Sequence, residues 1–177
     1  GIIGLGKIGT AVARRAHGFG MEILYTDPHP NQELEDEIDA QHSEIHDLLE
    51  SADFISIHVP LSDQTRHMIN KETLQLMKPS SLLINTSRGP IVDQDALVHA
   101  LKTGQIARAA LDVTDPEPLS PDHELFKLEN CLIVPHIGSA TWNTRRRMAE
   151  RACENILAGL GNQHLPYCVN PQVYQER

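Results

Sequence analysis

A single hexapeptide limits what this chain can become. Gly4-Leu5-Gly6-Lys7-Ile8-Gly9 follows the apolar run Gly1–Gly4 and opens an amphipathic stretch, Ile8–Phe19. Glycines at these places in a strand-to-helix turn let the backbone bend sharply. They also let an anionic group approach the helix N-terminus, where free N–H groups and the helix dipole stabilise it. On its own the G-x-G-x-x-G pattern is common, and its context makes it informative. A second apolar run, Glu22–Thr26, ends at Asp27, 18 residues beyond Gly9, close to where a carboxylate accepts from the ribose of a bound dinucleotide. A glycine-rich turn with an unrelated turn aspartate is the alternative.

The rest of the chain continues the same alternation. Strand-like runs recur at Phe54–His58, Ser81–Asn85, Ala107–Asp112 and Cys131–Pro135. Helical patterns lie between and around them at Gln32–Ile38, Glu44–Leu49, Lys71–Met77, Gln94–Thr103 and Thr141–Leu160. Ser43, Asn70 and Asp93 stand where N-cap oxygens belong, and Gly104 stands where a helix stops. Short apolar strands alternating with helices predict an α/β fold, a doubly wound parallel sheet of the Rossmann type. The segment Thr114–Asp122, with Pro116, Pro118 and Pro121, is a loop after a strand. Open α/β sheets bind their ligands at those strand ends.

Charge narrows the ligand. The chain carries a net charge of −9 over 177 residues, which argues against a nucleic-acid surface. Its distribution says more: between Arg15 and Arg66 stand 12 Asp and Glu and no Lys or Arg. A 2′-phosphate on the ribose would need a basic residue just after the second strand. Pro28, His29, Pro30 and Asn31 stand there instead, so NAD is expected, with NADP less favoured. No run reaches the roughly 18 apolar residues of a membrane span. Cys131, Cys153 and Cys168 have neither disulfide-framework nor metal-site spacing.

Two groups of residues carry candidate chemistry. In Asn85-Thr86-Ser87-Arg88-Gly89 a strand runs into a loop tipped by one arginine, whose guanidinium can clamp a carboxylate with two parallel hydrogen bonds. A surface arginine paired with Asp93 or Asp95 is the alternative. Asp112, Glu117 and His136 all fall at carboxyl ends of strands. Reduction of a carbonyl by hydride needs a proton donor for the developing alkoxide. Histidine suits this near neutral pH when a carboxylate orients it. His58, before Val59-Pro60, reads as a turn histidine beside the ligand. His42 and His46 lack a third ligand, and no metal is expected. Arg145, Arg146 and Arg147 read as a solvated or partner-facing helix segment, and Trp142 either lines a cleft mouth or packs.

Together these stretches resemble the D-isomer-specific 2-hydroxyacid dehydrogenases. The resemblance runs through Gly4–Gly9, Asn85–Asp93, Ala110–Val113, Glu117-Pro118 and Pro135–Thr141. Leu111–Leu119 and Gly138-Ser139-Ala140-Thr141 are most similar to the glyoxylate/hydroxypyruvate reductase branch. The resemblance implies that Arg88 binds a small 2-oxo acid, His136 is the acid–base and Glu117 supports it. It places Asp112 at the nicotinamide end. Gly4, Gly6, Lys7, Ile8, Gly9, Asp27, Val59, Pro60, Thr86, Ser87, Arg88, His136, Gly138 and Ser139 would line the cofactor. Some reductases of this branch use NADPH and carry an arginine after the second strand, where this chain has Asp27-Pro28. A homodimer is also implied. Alternatives are a phosphoglycerate, lactate or formate type of dehydrogenase, or a non-enzymatic NAD(H)-sensing scaffold like the C-terminal-binding-protein corepressors.

The chain opens within an apolar run and without a methionine. We therefore expect a longer protein whose N-terminal part, holding most of the substrate domain and any targeting signal, precedes it. Residues 1–162 are expected to form the dinucleotide-binding domain, and 163–177 a C-terminal remnant returning to the substrate domain. A cytoplasmic location is the expectation for this part.

Overall fold

The computed structural model describes residues 1–174 and divides into two compact units, one from Gly1 to His136 and one from Ile137 onward. The first contains seven strands: β1 (Ile2–Ile3), β2 (Leu24–Thr26), β3 (Gln41–His42), β4 (Phe54–Ile57), β5 (Leu82–Asn85), β6 (Arg108–Leu111) and β7 (Cys131–Ile133). Its helices are α1 (Lys7–Gly18), α2 (Gln32–Ile38), α3 (Ile45–Ser51), α4 (Lys71–Leu76) and α5 (Gln94–Thr103). All strand pairs are parallel, in the order β3-β2-β1-β4-β5-β6-β7. The chain winds outward from β1 in one direction and from β4 in the other. This reversal opens a crevice at the carboxyl ends of β1 and β4.

Why both faces are covered is visible within single strands. Neighbouring residues of a strand point to opposite faces. In β1, Ile2 joins the core cluster containing Leu5, Ala13, Tyr25, Leu34 and Ile38, while Ile3 joins the other, with Leu48, Ile57, Leu83, Leu97 and Leu101. Continuous apolar strands are what a sheet with two dry faces requires. Tyr25 is fully buried, and its hydroxyl is satisfied by donating to Glu35 (2.5 Å) and accepting from the Asn31 amide (2.8 Å).

Helix ends follow local chemistry. Asn70 accepts from the amides of Glu72 and Thr73, and the Thr73 hydroxyl accepts from the Asn70 amide, closing a capping box at α4. Asp93 caps α5, and Gly104 ends it at φ +70°. Ser43 does not cap α3; Glu44 does, without a side-chain bond. The Ser43 amide is still spent on the Tyr25 carbonyl (2.9 Å), which holds Ser43 to the sheet. β3 escapes the sequence pattern altogether, because two exposed polar residues carry no apolar signal.

In the second unit Thr141 caps α6 (Trp142–Leu160). Past it, the Asn155 side chain accepts from the Tyr167 amide (3.0 Å) and donates to its carbonyl (3.3 Å). Arg151 lies over the Tyr167 ring, and His164 stacks on Tyr174 at 4.0 Å. The expected C-terminal remnant is thereby fastened to α6 at residues 164–174, and its last three positions lie outside the described residues. Trp142 is 91% exposed, and Arg145, Arg146 and Arg147 all face solvent, with Arg146 paired to Glu150. Among the described residues, no helix is long and apolar enough to cross a membrane.

Candidate active site and dinucleotide cleft

The glycine turn sits where β1 delivers the chain to the crevice. Gly4 is in the left-handed region (φ +92°), and a Cβ there would lie 2.8 Å from the Val59 amide nitrogen at the exit of β4. A Cβ on Gly9 would run into the Gly4 carbonyl oxygen, so the helix closes tightly on the strand only with glycine there. Gly6 is different: a side chain there would meet nothing within 4 Å. With Lys7 and Ile8 it forms an exposed crest at the start of α1, whose first turn holds no acidic residue. Open space above a glycine, at the N-terminus of a helix whose own first turn holds no carboxylate, fits a pyrophosphate.

Asp27 lies at the mouth of this turn. One carboxylate oxygen accepts from the Leu5 amide (2.8 Å) and the other from the His29 amide (2.9 Å). Its orientation is thus fixed before any ligand arrives. Each oxygen keeps further acceptor capacity, which fits a ribose diol. His42, from the overlooked β3, bonds the Asp27 carbonyl through Nε2 at 3.0 Å. His58 is half-buried and bonds the Ser56 hydroxyl (2.8 Å), and burial lowers its pKa.

The arginine loop leaves β5 alongside. Arg88 is exposed, and its Nη1 donates to the Ser87 carbonyl at 2.7 Å. Asp93 is engaged in capping α5, and among the described residues no ion pair joins Arg88 to Asp93 or Asp95. Thr86 is exposed, and the Ser87 hydroxyl donates to the Val59 carbonyl. Pro60, next in that turn, accepts from the Thr65 hydroxyl at 2.7 Å.

At the ends of β6 and β7 the third group converges. Glu117 Oε1 and His136 Nδ1 are 2.7 Å apart, both partly open to solvent. Asp112 is buried behind them. The three border a cavity of about 410 Å³ with Thr114, Leu119 and Phe126. His136 itself is in the left-handed region, φ +51°. A larger cavity of about 700 Å³, bordered by Phe19, Met21 and Phe54, contains none of the expected site residues. Gly138 and Ser139 belong to the second unit, inside a turn closed by the Ala140 amide on the Ile137 carbonyl (2.9 Å).

Two fastening residues have no signal of their own in the sequence. Asn85, buried at the end of β5, bonds the backbone of Ser87 and Arg88. Gln94 accepts from the Asp115 amide (3.0 Å) and donates to its carbonyl, pinning the proline loop two residues before Glu117. Such amides become visible only when the loops they hold are folded beside them.

Comparison with known proteins agrees with this geometry. The model for the "D-isomer specific 2-hydroxyacid dehydrogenase, NAD binding domain" matches residues 1–138. A glyoxylate reductase of Korarchaeum cryptofilum is 50% identical over 100% of this chain and 53% of its own length. A glyoxylate/hydroxypyruvate reductase B of Enterobacter agglomerans is 50% identical over 98% of this chain and 54% of its own. The chain therefore spans about half the length of the curated relatives it matches. A D-lactate dehydrogenase of Lactobacillus jensenii, solved with NAD+, superposes with a TM-score of 0.85 at 31% identity, covering 95% of this chain and 54% of that one. A parallel sheet reversing at β1 and β4, a glycine turn shaped for a pyrophosphate and these matches all lead to one conclusion: the chain belongs to the D-isomer specific 2-hydroxyacid dehydrogenases and carries their NAD-binding domain.

Proposed function

We propose that the protein containing this chain reduces glyoxylate or hydroxypyruvate to glycolate or D-glycerate, with NADH preferred over NADPH. The observation that carries the reading is the Glu117–His136 pair, 2.7 Å apart at the carboxyl ends of the strands. The same sheet edge presents the Arg88 loop and the glycine turn.

Bound NADH supplies the hydride that reaches the carbonyl carbon. The Gly6–Ile8 crest holds the pyrophosphate, and Asp27 accepts from the adenosine ribose. Arg88 holds the substrate carboxylate and sets the carbonyl in place. Glu117 occupies Nδ1 of His136, which leaves Nε2 to give its proton to the carbonyl oxygen as the hydride arrives. With the proton from His136, the former carbonyl oxygen becomes the hydroxyl of the 2-hydroxy acid, whose carboxylate Arg88 still holds. The preference for NADH rests on Asp27 and on the absence of Lys and Arg between Arg15 and Arg66, because a 2′-phosphate would meet negative charge there.

Turnover of glyoxylate, hydroxypyruvate and pyruvate by the intact protein, each with NADH and NADPH, tests the proposal. We expect the first two substrates with NADH to be fastest. Pyruvate as the best substrate would replace this reading with a lactate-type enzyme, and no turnover with intact NADH binding would favour a dinucleotide-sensing scaffold. The 177-residue chain by itself is expected to bind NADH and turn over little or nothing.

A further inference from the structure

We propose that Asn85 is a positioning residue for Arg88, setting the substrate clamp through two hydrogen bonds to the loop that carries it. The inference rests on the assignment of Arg88 to the substrate carboxylate. Asn85 is the last residue of β5 and only 1% exposed. Its backbone is held on both sides: it pairs with Ile57 and Leu111, and its carbonyl accepts from the Asp112 amide (2.9 Å). The side chain therefore projects from a backbone that is paired on both sides.

Its partners dictate its chemistry. The Ser87 amide needs an acceptor and meets Oδ1 at 3.0 Å; the Arg88 carbonyl needs a donor and meets Nδ2 at 3.0 Å. Only a short amide offers an acceptor and a donor at that spacing. Aspartate retains the first bond but sets a carboxylate oxygen against the Arg88 carbonyl. Serine is too short to reach both. Beyond Arg88, Gly89 packs so closely on the Thr114 carbonyl that a Cβ would collide with it. The arginine backbone is thus fixed on its near side by Asn85 and on its far side by Gly89. A guanidinium on a long flexible stem gains its aim from that fixed base, and displacement of about 1 Å can cost roughly 100-fold in rate.

The test uses the intact protein with glyoxylate and NADH. In N85D and Asn85→Ser, kcat/KM for glyoxylate should fall roughly 10- to 100-fold, mainly through a raised KM, while NADH affinity by fluorescence titration falls much less. Burial against the Arg88 carbonyl raises the pKa of the introduced carboxyl, so the N85D defect should shrink as pH falls from about 8 to about 5, where the carboxyl takes up a proton and can donate to that carbonyl. Each substitution should cost much less when Arg88 is already lysine, because residues acting through one another are non-additive.

NADH binding lost in parallel with glyoxylate turnover, or an undiminished cost in the Arg88→Lys background, would overturn the proposal and leave Asn85 a purely structural residue. An Arg88→Lys enzyme with unchanged glyoxylate kinetics would overturn the substrate-clamp assignment itself. An impaired Arg88→Lys enzyme beside unimpaired Asn85 variants would overturn only the role of Asn85.

Discussion

Glu117 Oε1 meets His136 Nδ1 at 2.7 Å although the backbone of His136 is itself in the left-handed region, at φ +51°. A non-glycine residue there costs on the order of 1–3 kcal/mol and persists only where its surroundings enforce it. The tight turn in which the His136 amide bonds the Val134 carbonyl (3.0 Å) and the Glu117 contact are those surroundings. In the intact protein, His136→Ala should lower kcat roughly 10²- to 10⁴-fold with NADH binding retained. Glu117→Gln keeps an acceptor but loses the charge, and because the pair is partly solvated its cost should be near tenfold. Steady-state kinetics on both variants decide the matter, and wild-type turnover in His136→Ala would exclude it as the proton donor.

Gly6 and Gly9 should fail in different ways. A methyl group on Gly9 meets the Gly4 carbonyl and forces the backbone apart, so Gly9→Ala should cost about 1–3 kcal/mol of stability. Gly6→Ala meets only open space and should melt like wild type while losing NADH affinity. Thermal melts beside NADH titrations separate the two effects. Unchanged NADH affinity in Gly6→Ala would mean that the space above Gly6 is not the ligand's.

Asp27→Asn removes a charge from a side chain already oriented by two backbone amides. Hydrogen bonds to charged groups contribute about 1.5–3 kcal/mol. NADH affinity should therefore fall at least about tenfold, while NADPH affinity falls less or rises. Titration of both cofactors measures the ratio, and an unchanged ratio would separate Asp27 from cofactor choice.

Burial depresses the His58 pKa below the ordinary histidine value of 6.5. The unfolded chain then binds a proton that the folded chain resists. The stability contributed by neutral His58 is present above about pH 6.5 and is lost as pH falls through the depressed folded value. Melting temperatures between about pH 7.5 and about pH 5.5 should drop more steeply for wild type than for His58→Gln. Equal slopes would show that other groups govern acid sensitivity.

Thiol reactivity should also divide by burial. Desolvation pushes the Cys131 thiol up to about 11, whereas Cys153 is exposed on α6. Alkylation at mildly alkaline pH should modify Cys153 first and Cys131 only after unfolding, as read by peptide mass spectrometry.

What the sequence revealed and what it hid divide along physical lines. Asn70, Asp93 and Gly104 act on backbone groups within a few residues, so their roles are written locally. The alternation of apolar strands and amphipathic helices gives the doubly wound sheet for the same reason. Glu117 and His136 could be nominated from their strand-end positions, but their contact spans 19 residues and needed the fold. The Ser43 hydroxyl turns to the Glu44 carbonyl (3.1 Å) while its amide joins the sheet, an arrangement that no local pattern encodes. The bonds of Asn85 to the loop beyond it, and those of Gln94 across 21 residues, depend on how that loop and the proline loop fold.

The shortness of β3 has a consequence for colloidal behaviour. An exposed sheet edge is a template on which another chain can lay a strand. Here that edge is two residues long, Gln41 and His42, both polar, with the acidic α2 immediately before it. A strand from a second molecule would find little ladder to extend and would approach against like charge. The stretch that sequence patterning overlooks is thus a guard against aggregation along that edge.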